Sequence, residues 1–380
     1  MHLLDMTLFY APQSGGVKRY LTAKHAWLQS HTRVTHTLLV PGDSDSPRQR
    51  SGVITLRSPL LPFGQGYRLP LNLRKWAQAL RELKPDLIEA GDPYHLAWLA
   101  LRSGAELNVP VLGFYHSDLP RLLATRLGAT VQRYTESYVK RLYQRFDLVL
   151  APSQVMVERL GEIGLDKVRR QPLGVDTKLF RPGLKDAGLR RKLGLSEDTR
   201  LLIYAGRFSP EKKLPVLMEA MAILGQPYHL LLVGGGMALP AQPNVTVWSY
   251  RSDTNDLATL MASCDALVHP GDQETFGLVV LEALACGLPV IGMAAGGVAE
   301  LVDAQVGLLV PPQNPSALAG AISALYQTDM RRMSLNARRK AEDHYSWNKI
   351  MPQLLGHYSH LLGLPERTHV ADTPRYNAAN

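Results

Sequence analysis

Residues 269–291 read HPGDQETFGLVVLEALACGLPVI, a glycine-rich loop that runs into a long apolar segment. Glu274 lies in the loop, and Glu282 lies in the segment, which is typical of a buried helix. Eight residues at a rise of about 1.5 Å would hold the two carboxylates roughly 12 Å apart. That separation is too large for a carboxylate pair acting on one glycosidic bond. It suits a ligand that has a diphosphate between two sets of hydroxyls. Glu274 would accept hydrogen bonds from one set and Glu282 from the other.

The start of this predicted helix, at Phe276, Gly277 and Leu278, has the features that bind a diphosphate. Free backbone N–H groups and the positive end of the helix dipole coincide there. A glycine pair after the next predicted strand, Gly296 and Gly297, is expected to add backbone donors.

Short apolar runs bounded by Pro, Gly or Asp surround this stretch and predict buried parallel strands. They are LLIYAG (201–206), HLLLVGGG (229–236), NVTVW (244–248), DALVHP (265–270) and LPVIGM (288–293). Helical patterns lie between them, at about 213–224, 254–263, 276–286 and 314–326. This alternation predicts a doubly wound α/β layer.

The first half of the chain shows the same alternation. Its predicted strands are LLVP (38–41), DLIEAG (86–91), VPVLGFYH (109–116) and DLVLAPS (147–153), and its predicted helices are 16–29, 70–83, 93–103 and 119–145. A Pro/Gly-rich hinge at 171–183 separates the two halves. We therefore predict two Rossmann-like domains facing each other across a cleft.

The predicted domains cover residues 1–182 and 183–345. A further helix over 346–365 is expected to cross back to the first domain, ahead of a polar tail at 366–380. The length of 380 residues fits two domains at about 150 residues each.

Composition excludes several classes of protein. Five Trp, fifteen Tyr and seven Phe argue against a disordered chain, and no run of eighteen apolar residues predicts a membrane-spanning helix. The N-terminus lacks the basic and cleavage regions of a secretory signal. Cys264 and Cys286 lie in apolar helical contexts, which predicts reduced, buried thiols and a cytoplasmic location.

Ligands of open α/β sheets bind beyond the carboxyl ends of the strands. After the first strand, Gly15 and Gly16 begin a helix whose N–H groups can face an anion, although a purely steric role for the pair remains open. The third glycine and the acidic residue of a dinucleotide site are missing, which disfavours NAD. His116 and Asp118 follow the strand at 109–116, where a structural and a functional role are equally open.

The segment YAGRFSPEKK (204–213) places two cations at the end of a strand. Arg207 and Lys212 suit a diphosphate, and Lys213 is the neighbouring alternative to Lys212. A solvated loop without a ligand is the competing interpretation.

Seven motifs occur along the chain in the order SGGVKRY, FYHSD, APSQ, PLGVD, AGRFSPEK, LVGGG and ETFGLVVLEALACGLPVI. Their order and the two glutamates separated by seven residues resemble retaining glycosyltransferase family 4. The resemblance covers most of the chain, and its last motif is the most specific. It implies the α/β GT-B fold, with two Rossmann-like doubly wound domains facing a central cleft, an N-terminal one that binds the acceptor and a C-terminal one that binds a nucleotide sugar.

The resemblance also implies roles for individual residues. Glu274 would contact the transferred sugar, and Glu282 would contact the ribose. Arg207 and Lys212 would hold the diphosphate together with the start of the helix that follows Glu274. His116 would lie beside the hydroxymethyl group of the sugar and the reacting centre.

From the first domain, Gly15 and Gly16 would approach the same diphosphate.

The chain departs from the family after LVGGG, where only MALPAQP (237–243) stands in place of a helix. It departs again where Tyr250 and Arg251 follow the next strand in place of a glycine. These changes leave the base of the nucleotide open, and Tyr250 and Arg251 are expected to border it.

By this resemblance the reaction transfers a hexose with retention. No carboxylate is placed as a nucleophile, so we expect a same-face displacement in which the departing diphosphate oxygen takes the acceptor's proton. No metal and no cofactor are expected, since the nucleotide sugar is a co-substrate. Asp43 and Asp45 match the metal-binding acidic pair of the other main glycosyltransferase fold, but ordinary turn chemistry explains them.

The basic excess lies entirely in the first half. Residues 1–182 contain 25 Lys and Arg against 15 Asp and Glu, a net charge of +10, while residues 183–380 carry a net charge of −1. Basic residues are interspersed with apolar ones over 119–145 and 66–81. This predicts a surface that docks on an anionic membrane, with an ordinary core-packed helix as the alternative. No nucleic-acid-binding motif is visible.

We therefore expect a cytoplasmic enzyme, peripheral at the inner face of the cell membrane, that transfers mannose from GDP-mannose to a lipid-linked or anionic acceptor. A UDP-sugar donor with a soluble acceptor is the first alternative. A sugar phosphorylase or epimerase and a non-catalytic nucleotide-sugar-binding protein are the others.

Overall fold

The computed structural model describes residues 1–11, 15–46, 52–61, 66–251 and 253–365. Contacts divide them into two compact units, each described here by itself. The first unit consists of Met1–Pro152, Met156–Gln171 and the described residues from Ile350 onward, and the second of Ser153–Val155 and Pro172–Lys349. Cys264 and Cys286 are both buried thiols, as expected.

The first unit is built on a parallel sheet with the strand order β3-β2-β1-β4-β5-β6-β7. Its strands are β1 His2–Met6, β2 Thr35–Gly42, β3 Val53–Arg57, β4 Leu87–Ala90, β5 Val111–Phe114, β6 Leu148–Ala151 and β7 Val168–Arg170. Its helices are α1 Gly16–His31, α2 Leu73–Leu83, α3 His95–Leu107, α4 Leu119–Leu127, α5 Ala129–Tyr143 and α6 Gln154–Glu162. The inner strands β4, β5 and β6 are buried along their whole length, because helices cover both faces of a doubly wound sheet.

The second unit has a parallel sheet with the order β10-β9-β8-β11-β12-β13. Its strands are β8 Arg200–Phe208, β9 Tyr228–Gly236, β10 Val245–Trp248, β11 Ala266–His269, β12 Val290–Met293 and β13 Gly307–Val310. Its helices are α7 Leu189–Lys192, α8 Leu214–Leu224, α9 Thr254–Ser263, α10 Leu278–Ala285, α11 Val298–Leu301, α12 Pro315–Leu325 and α13 Met330–Tyr345. One face of the sheet forms a hydrophobic core with α8 and α12.

A final helix, α14 Trp347–Leu361, begins in the second unit and continues into the first. Within the first unit, the Tyr358 hydroxyl donates a hydrogen bond to Glu89 on β4 at 2.5 Å. The segment 172–182, which the sequence-based boundary assigned to the first domain, packs with the second unit. There Arg338 of α13 donates hydrogen bonds to the carbonyls of Phe180 and Thr177, at 2.7 and 2.9 Å.

The predicted strands and the doubly wound class are confirmed, but β3, β7 and β13 were not predicted, and one predicted helix is divided. Residues 119–145 form two helices rather than one, because Gly128 between α4 and α5 has a φ of +84°. The second set of strands was not complete after β12, since β13 extends the sheet at its edge. The expectation that no helix follows LVGGG is confirmed, because residues 237–244 connect β9 to β10 without one. Within the described ranges, no helix has the length and apolar character needed to cross a membrane.

Candidate active site

The strand order of the second sheet reverses between β8 and β11, the kind of point at which doubly wound sheets bind ligands. β8 pairs with β11 on one side and with β9 on the other, so the chain leaves the carboxyl ends of β8 and β11 in opposite directions. A crevice opens at such a point in an open α/β sheet. Arg207 is near the end of β8, Lys212 lies in the 3₁₀ turn Pro210–Lys212 just beyond it, and Glu274 follows β11.

Lys212 and Glu274 meet at this point. The Lys212 ammonium contacts Glu274 Oε1 directly, and the two side chains are 18% and 19% exposed. Burial opposes ionisation of Glu274, but the charge of Lys212, with a contribution from His269, outweighs it and holds the pKa of Glu274 well below its usual range. Glu274 is therefore a carboxylate, which can accept hydrogen bonds but cannot donate a proton near neutral pH.

Sequence reasoning missed His269, the last residue of β11. Its side chain is only 1% exposed, and its Nε2 lies 3.2 Å from Glu274 Oε1. A Cβ on residue 271 would stand 2.9 Å from the His269 ring, so Gly271 is what lets the imidazole occupy this place. The signal was present in the quoted HPG, a polar residue at the end of a strand that is otherwise fully apolar.

Arg207 is held differently from Lys212. The Tyr204 hydroxyl donates to the Arg207 carbonyl at 2.9 Å, which fixes the backbone at the strand end. The Arg207 guanidinium is more than half exposed and lies 3.9 Å from Glu211. The structure thus joins Lys212 to Glu274 and leaves the Arg207 side chain facing solvent.

The loop that carries Glu274 is fixed by the glycine pair after β12. The N–H of Gly297 donates to the Glu274 carbonyl at 2.8 Å. A Cβ on Gly297 would stand 2.5 Å from the Phe276 Cα, so the two backbones pack too closely for a side chain. The expectation that both Gly296 and Gly297 offer free donors is therefore wrong for Gly297, whose N–H is already used to hold the loop.

Helix α10 begins where the sequence predicted, with Gly277 as its N-cap and Leu278 as its first residue. Gly277 has a φ of +99°, a conformation that favours glycine. Phe276 is buried and packs edge-on against Tyr345, with ring centroids 6.1 Å apart. Glu282 lies in the second turn of α10 and is buried. Burial and, next, the charge of Glu282 raise the pKa of the Cys286 thiol to about 12.

Tyr250 and Arg251 follow β10 at the edge of the same sheet. Tyr250 is exposed, and the Arg251 guanidinium stacks over the Trp248 ring at 5.0 Å from its centroid. These two side chains offer flat surfaces, but their role beside a nucleobase stays a prediction.

In the first unit, Gly15 is the N-cap of α1 and Gly16 its first residue. Among the described residues, no heavy atom lies within 4 Å of a Cβ built on Gly15, so packing in the described part of the chain does not explain that glycine. Asp45, one of the alternative metal ligands, contacts the Lys75 ammonium and accepts a hydrogen bond from the Arg57 N–H at 2.9 Å.

His116 follows β5 and is half-buried. Its ring stacks on Phe114 with centroids 4.0 Å apart, and the Tyr20 ring lies 5.2 Å away. Burial, and next the charge of Lys24, lower the pKa of His116 to about 3. His116 is thus a neutral imidazole near pH 7, and any role it has is that of a hydrogen-bonding group rather than a cation. Its neighbour Asp118 caps α4 and accepts a hydrogen bond from the Tyr115 hydroxyl at 3.0 Å.

The first unit also contains a buried cluster of charged side chains that the sequence analysis did not predict. Lys24 of α1 lies 2.8 Å from Asp5 of β1 and 3.1 Å from Glu89 of β4. His36 approaches the other oxygen of Asp5 at 3.0 Å, and Tyr358 donates to Glu89. The sequence did contain a signal, since single acidic residues interrupt the apolar strands HLLDM and LIEA at positions that pair across the sheet.

Comparison with known proteins follows the division into two units. Residues 14–179 match the family described as Glycosyltransferase Family 4, and residues 186–342 match that described as Glycosyl transferases group 1. A GDP-mannose-dependent alpha-mannosyltransferase of Mycobacterium tuberculosis is 32% identical over 368 residues, covering 93% of this chain and 95% of that protein. A GDP-mannose-dependent alpha-(1-6)-phosphatidylinositol dimannoside mannosyltransferase of the same species is 30% identical, with the same coverage of both chains.

Two solved structures have the same fold. Sucrose-phosphate synthase from Thermosynechococcus elongatus superposes with a TM-score of 0.77 at 25% identity, covering 96% of this chain and 99% of that one. The Anabaena protein HepE in complex with UDP-glucose gives a TM-score of 0.74 at 22% identity, covering 95% and 100%. At that identity, the second likeness concerns the fold alone.

Proposed function

Because the chain belongs to the glycosyltransferases of family 4 and group 1, with the GT-B fold, we propose that it transfers mannose from GDP-mannose to a lipid-linked acceptor with retention. The observation that carries the proposal is the pairing of Lys212 with Glu274 at the crevice of the second unit. A cation and a carboxylate side by side suit a donor whose diphosphate adjoins a sugar with free hydroxyls.

The donor assignment draws support from the relatives. Those that match over most of the chain include several described as GDP-mannose-dependent mannosyltransferases, from Mycobacterium, Mycolicibacterium and Corynebacterium. A UDP-sugar remains the competing donor, since the residues expected beside the base, Tyr250 and Arg251, do not follow the family's usual pattern.

The proposed reaction is a same-face displacement. The bond between the anomeric carbon and the diphosphate oxygen breaks, and a bond to the acceptor oxygen forms on the same face. The departing oxygen takes the acceptor's proton. Lys212, Arg207 and the N–H groups at the start of α10 stabilise the charge that develops on the diphosphate, and we propose that they do so without a metal.

The remaining residues receive roles that fit their environments. Glu274, as a carboxylate, accepts hydrogen bonds from the sugar hydroxyls, and Glu282 accepts them from the ribose. His116, as a neutral imidazole, forms a hydrogen bond beside the reacting centre. Gly15 and Gly16 present the amino end of α1 to an anion.

The acceptor side is proposed to be a membrane surface. Helix α4 buries only Pro120, and α5 buries residues only in its last two turns, so the first part of this segment is not an ordinary core helix. Leu127 and Tyr134 are 62% and 75% exposed, and the exposed Arg126 and Arg133 stand next to them in the sequence. Apolar and basic side chains together suit an anionic lipid surface.

The first experiment compares donors. Purified enzyme is incubated with GDP-mannose or UDP-glucose and vesicles containing phosphatidylinositol, with and without EDTA, and sugar transfer is measured. We expect transfer from GDP-mannose that survives EDTA, and an α-linked product by NMR. Transfer from the UDP-sugar alone would replace the proposed donor, and loss of activity with EDTA would contradict the metal-free mechanism.

Variants then test the pairing that carries the proposal. E274Q and K212M should each lower kcat by about 100-fold or more, as expected when a group acting on developing charge is removed. E219Q on the exposed part of α8 is the matched control for E274Q. K213M distinguishes the neighbouring lysine, and it should remain active if Lys212 is the diphosphate ligand.

The membrane surface is tested by flotation with phosphatidylglycerol vesicles. The double variant R126Q/R133Q should bind them about 30-fold more weakly, at about 1 kcal/mol for each basic residue near an anionic surface. R331Q/R332Q, which removes two exposed charges from α13 of the second unit, should bind like the wild type. Equal binding by both double variants would reject α4 and α5 as the docking surface.

A further inference from the structure

His269 is a buried histidine with unusual surroundings. Its side chain is 1% exposed, yet neither ring nitrogen has an aligned hydrogen-bond partner among the described residues. Buried polar groups in folded proteins are almost always hydrogen-bonded, so such an exception needs an explanation. His269 lies at the carboxyl end of β11, where the ligand crevice of the sheet opens.

The explanation lies in the group that His269 approaches. Its Nε2 is 3.2 Å from Glu274 Oε1, the same oxygen that the Lys212 ammonium contacts. The distance is short enough for a hydrogen bond, but the contact does not have the alignment of one. Hydrogen bonds of active-site groups are often poorly aligned before the substrate binds and tighten in the complex.

The ring of His269 is held in place by its neighbours. Gly271 packs against one side, where a Cβ would stand 2.9 Å from the ring, and the Tyr204 ring centroid lies 6.2 Å away on another. A rearrangement that brings His269 and Glu274 into alignment is therefore a movement of the Glu274 carboxylate.

Donor binding supplies the cause of that movement. On the proposed function, the diphosphate of the donor attracts Lys212, which then shares or leaves the Glu274 oxygen. Glu274 is mostly buried, and a buried carboxylate needs another partner to stay ionised. We propose that His269 is a positioning residue that takes over the Glu274 carboxylate when Lys212 moves to the diphosphate, and so aims Glu274 at the sugar hydroxyls.

In this arrangement His269 donates a hydrogen bond from Nε2 to Glu274 Oε1. The inference rests on the proposed function, since it assigns Lys212 to the diphosphate and Glu274 to the sugar. It adds a residue that contacts neither part of the donor and acts through Glu274.

The test uses two substitutions of this residue. H269L removes the donor and keeps an apolar side chain of similar bulk, whereas H269Q places an amide N–H near the position of Nε2. His229 is the matched control, because it is buried at the opposite end of the same sheet and bonds Thr246 at 2.9 Å. H229L and H229Q should have the kcat of the wild type.

H269L should lower kcat with GDP-mannose by about 10- to 100-fold, the range expected when a group in an active site is misplaced by an ångström. GDP binding, measured by calorimetry, should stay unchanged, since GDP lacks the sugar that Glu274 contacts. H269Q should have a kcat about tenfold or more above that of H269L, the value of one hydrogen bond to a charged group.

The outcomes separate the inference from the proposed function. If the wild type transfers mannose and H269L has the same kcat, the inference fails and the function stands. If H269L weakens GDP binding as much as it lowers kcat, or H269Q is no better than H269L, His269 has a structural role and the inference fails. If the wild type transfers no sugar from GDP-mannose or UDP-glucose, the proposed function fails and the inference fails with it.

Discussion

Substitution of Lys24 by methionine should destabilise the first unit by an amount that grows with pH. Lys24 is fully buried and is the shared cation of Asp5 and Glu89, at 2.8 and 3.1 Å. Methionine keeps an unbranched chain but removes the charge. Breaking a buried ion pair by removing one partner costs about 3–5 kcal/mol, because the other partner stays buried without compensation.

The pH dependence comes from Glu89. Burial raises its pKa to about 7, even though the charge of Lys24 acts in the opposite direction. A carboxyl group whose pKa is raised in the folded state contributes stability below its unfolded pKa of 4.5, and this contribution is lost as the pH rises through about 7. Without Lys24 the folded pKa of Glu89 rises further, so the loss continues at higher pH. Between pH 7 and 8.5 the variant should lose up to about 2 kcal/mol, against about 0.4 kcal/mol for the wild type.

Asp5 accounts for the part of the K24M destabilisation that does not change between pH 6.5 and 8.5. Lys24 and His36 together outweigh the effect of its burial and lower the pKa of Asp5 to about 2, so it is ionised at every pH of the experiment. Of its charged partners among the described residues, K24M leaves Asp5 with His36, at 3.0 Å. The cost at pH 6.5 therefore reports mainly on Asp5, and the increase toward pH 8.5 reports on Glu89.

Urea unfolding followed by hydrogen exchange of the α1 amides reads the first unit alone, which matters because a chain of two units need not unfold in one step. The double variant K24M/E89Q should lose the extra destabilisation at pH 8.5, since glutamine does not ionise. A destabilisation by K24M that is equal at pH 6.5 and 8.5, or one that E89Q leaves unchanged, would refute this account of the cluster.

Three further predictions concern the two sites. The pKa of His116 falls to about 3 in the folded state, against 6.5 when unfolded, so protonation of the unfolded chain should lower the free energy of unfolding of the wild type by about 3 kcal/mol between pH 6.5 and 4. H116N lacks this imidazole and should not show that loss in urea titrations at the two pH values. G297V should lower both the melting temperature and kcat, because its side chain would meet backbone 2.5 Å away, whereas G320A, with nothing within 4 Å among the described residues, should do neither. E282Q should lose most of the thermal stabilisation that GDP gives, about 2.7 kcal/mol at 100 times Kd in the wild type, and E219Q should keep it.

The sequence predicted the architecture well because buried parallel strands are continuous apolar runs with sharp boundaries. It failed at β7 for the same reason. β7 is only three residues long and two of them are exposed arginines, so it carries no apolar run. The division of 119–145 into two helices depended on the backbone conformation of Gly128, which the helical spacing of its neighbours concealed.

The sequence could predict candidate site residues that lie in a recognisable motif. It could not predict which of them contact each other in the folded protein. Lys212 and Glu274 are 62 residues apart in the chain, and nothing in either motif states that they touch. Gly297 was expected to face a ligand, but its N–H holds the Glu274 loop. His269 stood in the quoted stretch without a role, because a lone histidine gains meaning only from the groups that surround it.

The two units offer a comparison that the sequence alone could not. In each unit a lysine contacts carboxylates near the two strands at which the strand order reverses. In the first unit this is Lys24, near β1 and β4, and in the second it is Lys212, near β8 and β11. The first lysine and its carboxylates are sealed from solvent, with Tyr358 of α14 bonded to Glu89. The second pair is nearly one-fifth exposed. The sealed charges are partnered from within the first unit, where they act on stability, whereas Lys212 and Glu274 are open to a ligand that competes for both. On the proposed function, similar chemistry at equivalent points of the two sheets serves stability in one unit and donor binding in the other, and the difference between them is access to solvent.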